Sequence, residues 1–199
     1  METMNDEELQ KAFNELSDYI RQEVAAGFRG EKEVYSGALD RMTDKFPSRD
    51  FTADVERMTR EAIQAHLKEQ ATWPAKTDCD RLDAAFVELE RAGIVARQDF
   101  SCCSNCGSSE IWDEMKTASS RGVKVRGYAF YHMQDTEAAV QGCDICLGYG
   151  TVEKSEPAGV KIGKEIAATI QRHGLKVTWD ETLQHRIQVT IDWKRRRVV

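Results

Sequence analysis

The chain is expected to fold as an α+β or α/β protein: a helical N-terminal half, then a mixed β-sheet with packed helices that closes on a C-terminal β-hairpin. Three observations predict this. Apolar residues recur every three or four positions as far as Leu89, the period of an amphipathic helix. Beyond the cysteines at 102–106, short apolar runs alternate with helical patterns, which favours a sheet with helices on it. Finally, Leu175, Val177 and Trp179, then Ile187, Val189 and Ile191, alternate with polar residues at the period of a half-wet strand pair.

Leu9, Phe13, Leu16, Ile20 and Val24 line one face of the first helix, with Asn5 and Glu8 spaced as a capping box and Gly27 as its stop. Val34, Ala38, Leu39 and Met42 form the face of a second, limited by Pro47. Thr52 begins a third, which carries Val55, Met58, Ala62 and Ala65 and ends at Trp73 and Pro74. Thr77 or Asp78 caps a fourth, in which Cys79, Leu82, Phe86 and Leu89 share a face and Gly93 stops the helix. Cys79 is thereby placed in the core. Helix, glycine and a strand from Ile94 to Phe100 is also the local pattern of a winged helix. Asp80, Asp83, Glu88 and Glu90 on the outward face would repel phosphates and argue against nucleic acid as a partner.

Val123–Tyr131 reads as a buried strand and Cys143–Tyr149 as another. A short helix from Asp135 to Gln141 between them predicts parallel neighbours joined by a right-handed crossover. In that arrangement Tyr149, Gly150 and Thr151 emerge at the same edge as His132. A helix after Pro157 turns Val160, Gly163, Ile166, Ala167 and Ile170 inward and stops at Gly174, before the hairpin. The expected division is a helical region, 1–76, and an α/β region with the cysteine cluster, 77–199, forming one integrated unit.

Thirty-four acidic residues outnumber 28 basic ones, and the net charge of -6 gives no general attraction to nucleic acid or anionic lipid. The one cationic run, Lys194–Arg197, reads as a solvated tail. Met1, Glu2 and Thr3 lead into acidic residues, not into the cationic-then-apolar order of a secretory signal, and no apolar run has the length of a membrane span. Six cysteines in that setting point to a cytoplasmic, reducing compartment and to metal ligands, redox groups or packed thiols, not to a disulfide framework. The partner is unknown, and a protein docking on the helical half stays open.

Cys102, Cys103 and Cys106 form the first candidate site. A Cys-x-x-Cys-Gly turn after a strand brings two sulfurs to about 2.3 Å from one tetrahedral zinc. A closed site needs further ligands: Cys143 and Cys146 offer a second pair, with Cys102 and His132 as alternatives. Alternation along the strand read at 143–149 would send Cys143 and Cys146 to opposite faces. The same thiols could serve redox chemistry, with a helix start lowering one thiol's pKa, or could simply pack under the sheet.

The second candidate is His132–Glu137, at the end of a buried strand, where open sheets bind ligands. His132 there can act as general base or metal ligand, with Asp135 or Glu137 orienting it or polarising a water, as in a metal-assisted hydrolase. An equally physical reading makes Asp135 a helix cap, places Glu137 at the helix's positive end and gives His132 a backbone partner. Arg186 is expected to pair with Asp180 or Glu181 at the hairpin turn. His66, His173 and His185 read as structural. No phosphate loop, Gly-x-Ser-x-Gly elbow or His-Glu-x-x-His helix occurs.

Taken together, Cys102-Cys103-x-x-Cys106-Gly107, the run from Gly127 to Glu137, Gly174-Leu175, Trp179-Asp180 and Arg186-Ile187 resemble an uncharacterised bacterial family of domains of unknown function. The resemblance covers most of the chain. It implies one recurring unit in a bacterial, cytoplasmic setting and supplies no activity. The stretch holding Cys143 and Cys146 departs from that family's glycine and apolar pattern, which weakens the four-cysteine version of the site.

Overall fold

The computed structural model of the chain describes residues 6–153 and 155–197. Asn5 of the expected capping box lies outside them. The described residues form two compact units, one of 6–74 with 195–197, the other of 75–153 with 155–194.

The first unit is three helices, α1 (Asp6–Ala26), α2 (Glu31–Lys45) and α3 (Thr52–Gln70). Its core follows the apolar period. Ala12, Leu16, Ile20 and Val24 pack with Val34, Ala38, Met42, Phe46, Phe51 and Val55. Phe13 and Phe46 meet the Phe51 ring at 5.9 and 5.8 Å. Each fully buried Leu, Ile, Val, Phe or Met among them contributes roughly 1.5–3 kcal/mol on leaving water.

The cationic run at 194–197 is not a solvated tail. Arg197 donates its backbone N–H to Gln70 Oε1 at 2.7 Å and its guanidinium to the carbonyls of Val24 and Arg29 at 3.2 and 2.7 Å. His66 Nε2 donates to the Arg195 carbonyl at 3.2 Å, and the Arg195 guanidinium lies 4.2 Å from the centre of the Phe28 ring. The physical reason is the end of α1. Val24 belongs to the last turn, whose carbonyls have no intrahelical partner, and Arg197 supplies a donor. Gly27, at φ +78°, carries the chain out of α1, and a Cβ there would stand 2.7 Å from Arg195 Cγ.

The second unit runs α4 (Asp78–Arg91), β1 (Ile94–Arg97), α5 (Ser104–Ser120), β2 (Gly127–Phe130), α6 (Met133–Val140), β3 (Ile145–Thr151), α7 (Glu156–Arg172), β4 (Lys176–Thr178) and β5 (Ile187–Thr190). The capping box of α4 uses Thr77, whose Oγ1 accepts from Asp80 N–H at 3.2 Å while its own N–H donates to Asp80 Oδ2 at 2.8 Å. Cys79 is buried in the core, as expected. The strands form a mixed sheet in the order β1-β2-β3-β5-β4, and β4 and β5 make the expected hairpin.

One expectation fails here. β2 and β3 are antiparallel, with Phe130 opposite Gly148 and Gly127 opposite Thr151. The parallel pair is β1 and β2, and the crossover between them is the 17-residue α5. An apolar run carries no strand direction; the connection does, and the eight residues of α6 join antiparallel neighbours. Thr151 therefore lies opposite the start of β2, and Tyr149, Gly150 and Thr151 do not gather beside His132.

Alternation along β2 places the sheet between helices. Phe130 joins Val95 and the α5 residues Ile111 and Met115 in one cluster, with Tyr128 packed against it. α7 packs on β3, β4 and α4, and buries Gly159, Ile162, Gly163, Ile166, Thr169 and Ile170. Val160, expected inward, is only half-buried. No helix among the described residues is long and apolar enough to cross a membrane.

Candidate thiol and metal site

The loop from β1 to α5 is built in a conformation that side chains resist. Asp99 and Ser101 stand at φ +51° and +64°. Left-handed backbone costs a residue with a Cβ roughly 1–2 kcal/mol and persists only where the surroundings impose it. Three bonds impose it here. Thr136 Oγ1 donates to Asp99 Oδ1 at 2.7 Å, Phe100 N–H donates to the Tyr131 carbonyl at 2.9 Å, and Met133 N–H donates to the Ser101 carbonyl at 3.1 Å. The Phe100 ring meets Phe130 edge-on at 5.8 Å.

That loop delivers Cys102 and Cys103 to the start of α5, where Cys103 is the N-cap residue, and Cys106 follows in the first turn. The sulfurs of Cys102, Cys103 and Cys106 all lie within 4.8 Å of one another. Cys102 is exposed and the other two are half-buried. Gly107 has a packing role. A Cβ there would come within 2.5 Å of the Phe130 ring, so only glycine lets α5 approach β2 this closely.

The three thiols are not equivalent. Cys103 makes no capping bond from its side chain. Even so, the Cys106 amide, then the thiols of Cys106 and Cys102, favour its thiolate and hold its pKa below the ordinary thiol value. Cys106 is pushed up to about 11, because its proton is shared with the Cys102 and Cys103 sulfurs and a second negative charge among them is disfavoured.

Cys143 and Cys146 do not join the group. Cys143 lies in the exposed turn before β3, so the alternation expected to separate it from Cys146 does not apply to it. Cys146 sits on β3 opposite Gln188, and burial raises its thiol pKa.

His132 is the N-cap of α6, and its neighbourhood is a reciprocal box. Its Nδ1 accepts from Asp135 N–H at 3.3 Å, while its own N–H donates to Asp135 Oδ2 at 3.1 Å. An Nδ1 that accepts leaves the ring proton on Nε2, which stands 3.2 Å from Asp135 Oδ2. Burial lowers the imidazole pKa, Asp135 opposes that and Arg186 adds to it. Arg186 donates both to Asp135 Oδ2 and to the Cys146 carbonyl. It does not pair with the hairpin-turn carboxylates. Asp180 instead accepts from Thr182 and pairs with His185 at 2.6 Å, which makes it a turn former. Glu137 is exposed, so His132 and Asp135 converge and Glu137 does not.

The model of the family described as Domain of unknown function (DUF6891) matches residues 8–197. The chain belongs to this family. No curated protein and no solved structure matches it. In this DUF6891 chain the two sequence motifs are one structure, because the His132–Thr136 segment clamps the loop that carries the cysteines. Asp99, the bond that Thr136 makes to it and the Arg186–Asp135 pair escaped sequence reasoning. Only the outward position of Arg186, next to the inward Ile187 of an alternating strand, hinted that it faced something other than the turn.

Proposed function

We propose that the chain is a bacterial, cytoplasmic metal-binding protein in which Cys102, Cys103 and Cys106 supply three thiolates to one zinc ion. The observation that carries this is the mutual approach of the three sulfurs within 4.8 Å. Tetrahedral ligands at about 2.3 Å from zinc stand about 3.8 Å apart, so small side-chain rotations suffice. Three protein ligands leave a fourth position for water or another donor, and zinc bound there would hold the thiols deprotonated. Six thiols without a disulfide among them agree with a reducing compartment.

Elemental analysis of protein purified without chelator tests this. About one equivalent of zinc is expected, lost in the Cys103→Ser and Cys106→Ser variants and kept in Cys143→Ser and Cys146→Ser. Metal-free protein whose thiols react freely both before and after chelator treatment would overturn it.

A second reading, a redox pair, is favoured by one observation: the lowered pKa of Cys103 against the raised pKa of Cys106 at a helix start after a strand. It requires a Cys103–Cys106 disulfide on mild oxidation. The hydrolase alternative finds less support, since the Nδ1 lone pair of His132 is already taken by a backbone amide and Glu137 stands apart.

A further inference from the structure

A cleft of about 130 Å³ opens beside the first two turns of α5. Its polar lining is Ser104, Ser108, Gln184, His185 and Arg186, and the rings of Tyr128 and Phe130 contribute its apolar surface. Among the described residues no carboxylate lines it. The lining is therefore rich in hydrogen-bond donors and carries one permanent cation, Arg186.

Arg186 is incompletely matched. One terminal nitrogen is spent on Asp135 and the Cys146 carbonyl. The other stands 3.4 Å from His132 Nε2, the nitrogen that carries the ring proton and so has no lone pair to offer. Its Nε–H is buried and has no acceptor among the described residues. Asp135 thus neutralises one edge of the guanidinium, and because the side chain stays about a third exposed, its other terminal nitrogen can take an acceptor from the cleft. The hydroxyl of Ser108, on an exposed stretch of α5, adds a further donor at the rim.

We propose that this cleft binds a small molecule bearing an oxyanion, carboxylate or phosphate, with Arg186 as its main anchor and the Tyr128 and Phe130 rings against its carbon skeleton. The space is that of roughly four waters, so the ligand is small. The planar fork of Arg186 suits both anions. This inference does not rest on the metal reading.

The test is a titration of the full chain with inorganic phosphate and, separately, with acetate, at constant ionic strength and with chloride as control. It is followed by the NMR amide shifts of Ser108 and Gly148. Saturable shifts at both amides are expected with at least one anion; phosphate alone marks a phosphoryl ligand, acetate alone a carboxylate. Ser108→Glu places a carboxylate on an exposed lining position and should weaken binding about tenfold or more without unfolding the chain. Arg186→Lys should weaken it to a similar degree. Absence of saturable shifts with both anions, or unchanged affinity in Ser108→Glu, overturns the proposal. Zinc measured on the same samples keeps the two readings apart, since metal-free protein that still binds the anion leaves this one standing.

Discussion

The helical unit and the cysteine loop are held by different forces. In the helices, α1, α2 and α3 bury a continuous apolar set, and almost any volume-conserving exchange there preserves the fold. In the loop, two left-handed residues depend on three hydrogen bonds to a segment more than thirty positions away. The contrast teaches where to look for chemistry: strain maintained by specific polar bonds marks the thiol loop, and the helices show nothing comparable.

The sharpest way to break the comparison is to empty a core on each side. Phe130→Ala should cost about 3–5 kcal/mol and Ile20→Ala about 2–5 kcal/mol, read from urea unfolding. Only Phe130→Ala should also raise the reaction rate of Cys103 and Cys106 with a thiol reagent, because Phe130 seats Phe100 and Gly107. Equal thiol rates in the two variants would remove the distinction.

Thr136→Val tests the clamp itself. It removes the 2.7 Å donor to Asp99 Oδ1 and should cost about 0.5–1.5 kcal/mol. A loss of zinc affinity or a change in thiol rates should accompany it; a pure stability loss would make Thr136 a packing residue only.

The two sides should share one weakness in acid. Burial holds His66 and His132 below the ordinary 6.5, so the unfolded chain takes up protons that the folded chain refuses. The contribution of these two groups is then constant above about pH 6.5, and stability falls as pH drops through that value towards their lower folded pKa values. Unfolding midpoints across pH should show a shallower fall for His66→Gln, and again for His132→Asn, which keeps a capping side chain. The smallest effect belongs to the surface. Lys116→Ala breaks an exposed pair with Asp113 and should change stability by less than about 0.5 kcal/mol.

The helices were legible because their signals are local. Leu16, Ile20 and Val24 repeat within one face, and Gly27 and Gly93 stop their helices with positive φ. The pairing of β2 with β3 was not, since the runs Tyr128–Tyr131 and Ile145–Leu147 look alike whichever way the strands point. The spacing of Cys102, Cys103 and Cys106 revealed the cluster, but the bond from Thr136 to Asp99 spans 37 positions, and no local pattern carries that information. Arg186 was misassigned for the same reason. Asp180 is near it in sequence, whereas Asp135 is near it in space.

The packing of Arg195 and Arg197 against α1, α3 and the loop after α1 has a consequence in time. Those arginines leave the ribosome only after residues 75–194 have been made, a delay of roughly ten seconds at usual elongation rates. Until then the carbonyl of Val24 lacks its donor and Gly27 its neighbour. The helical unit is thus completed only after the whole of the sheet-bearing unit has been made.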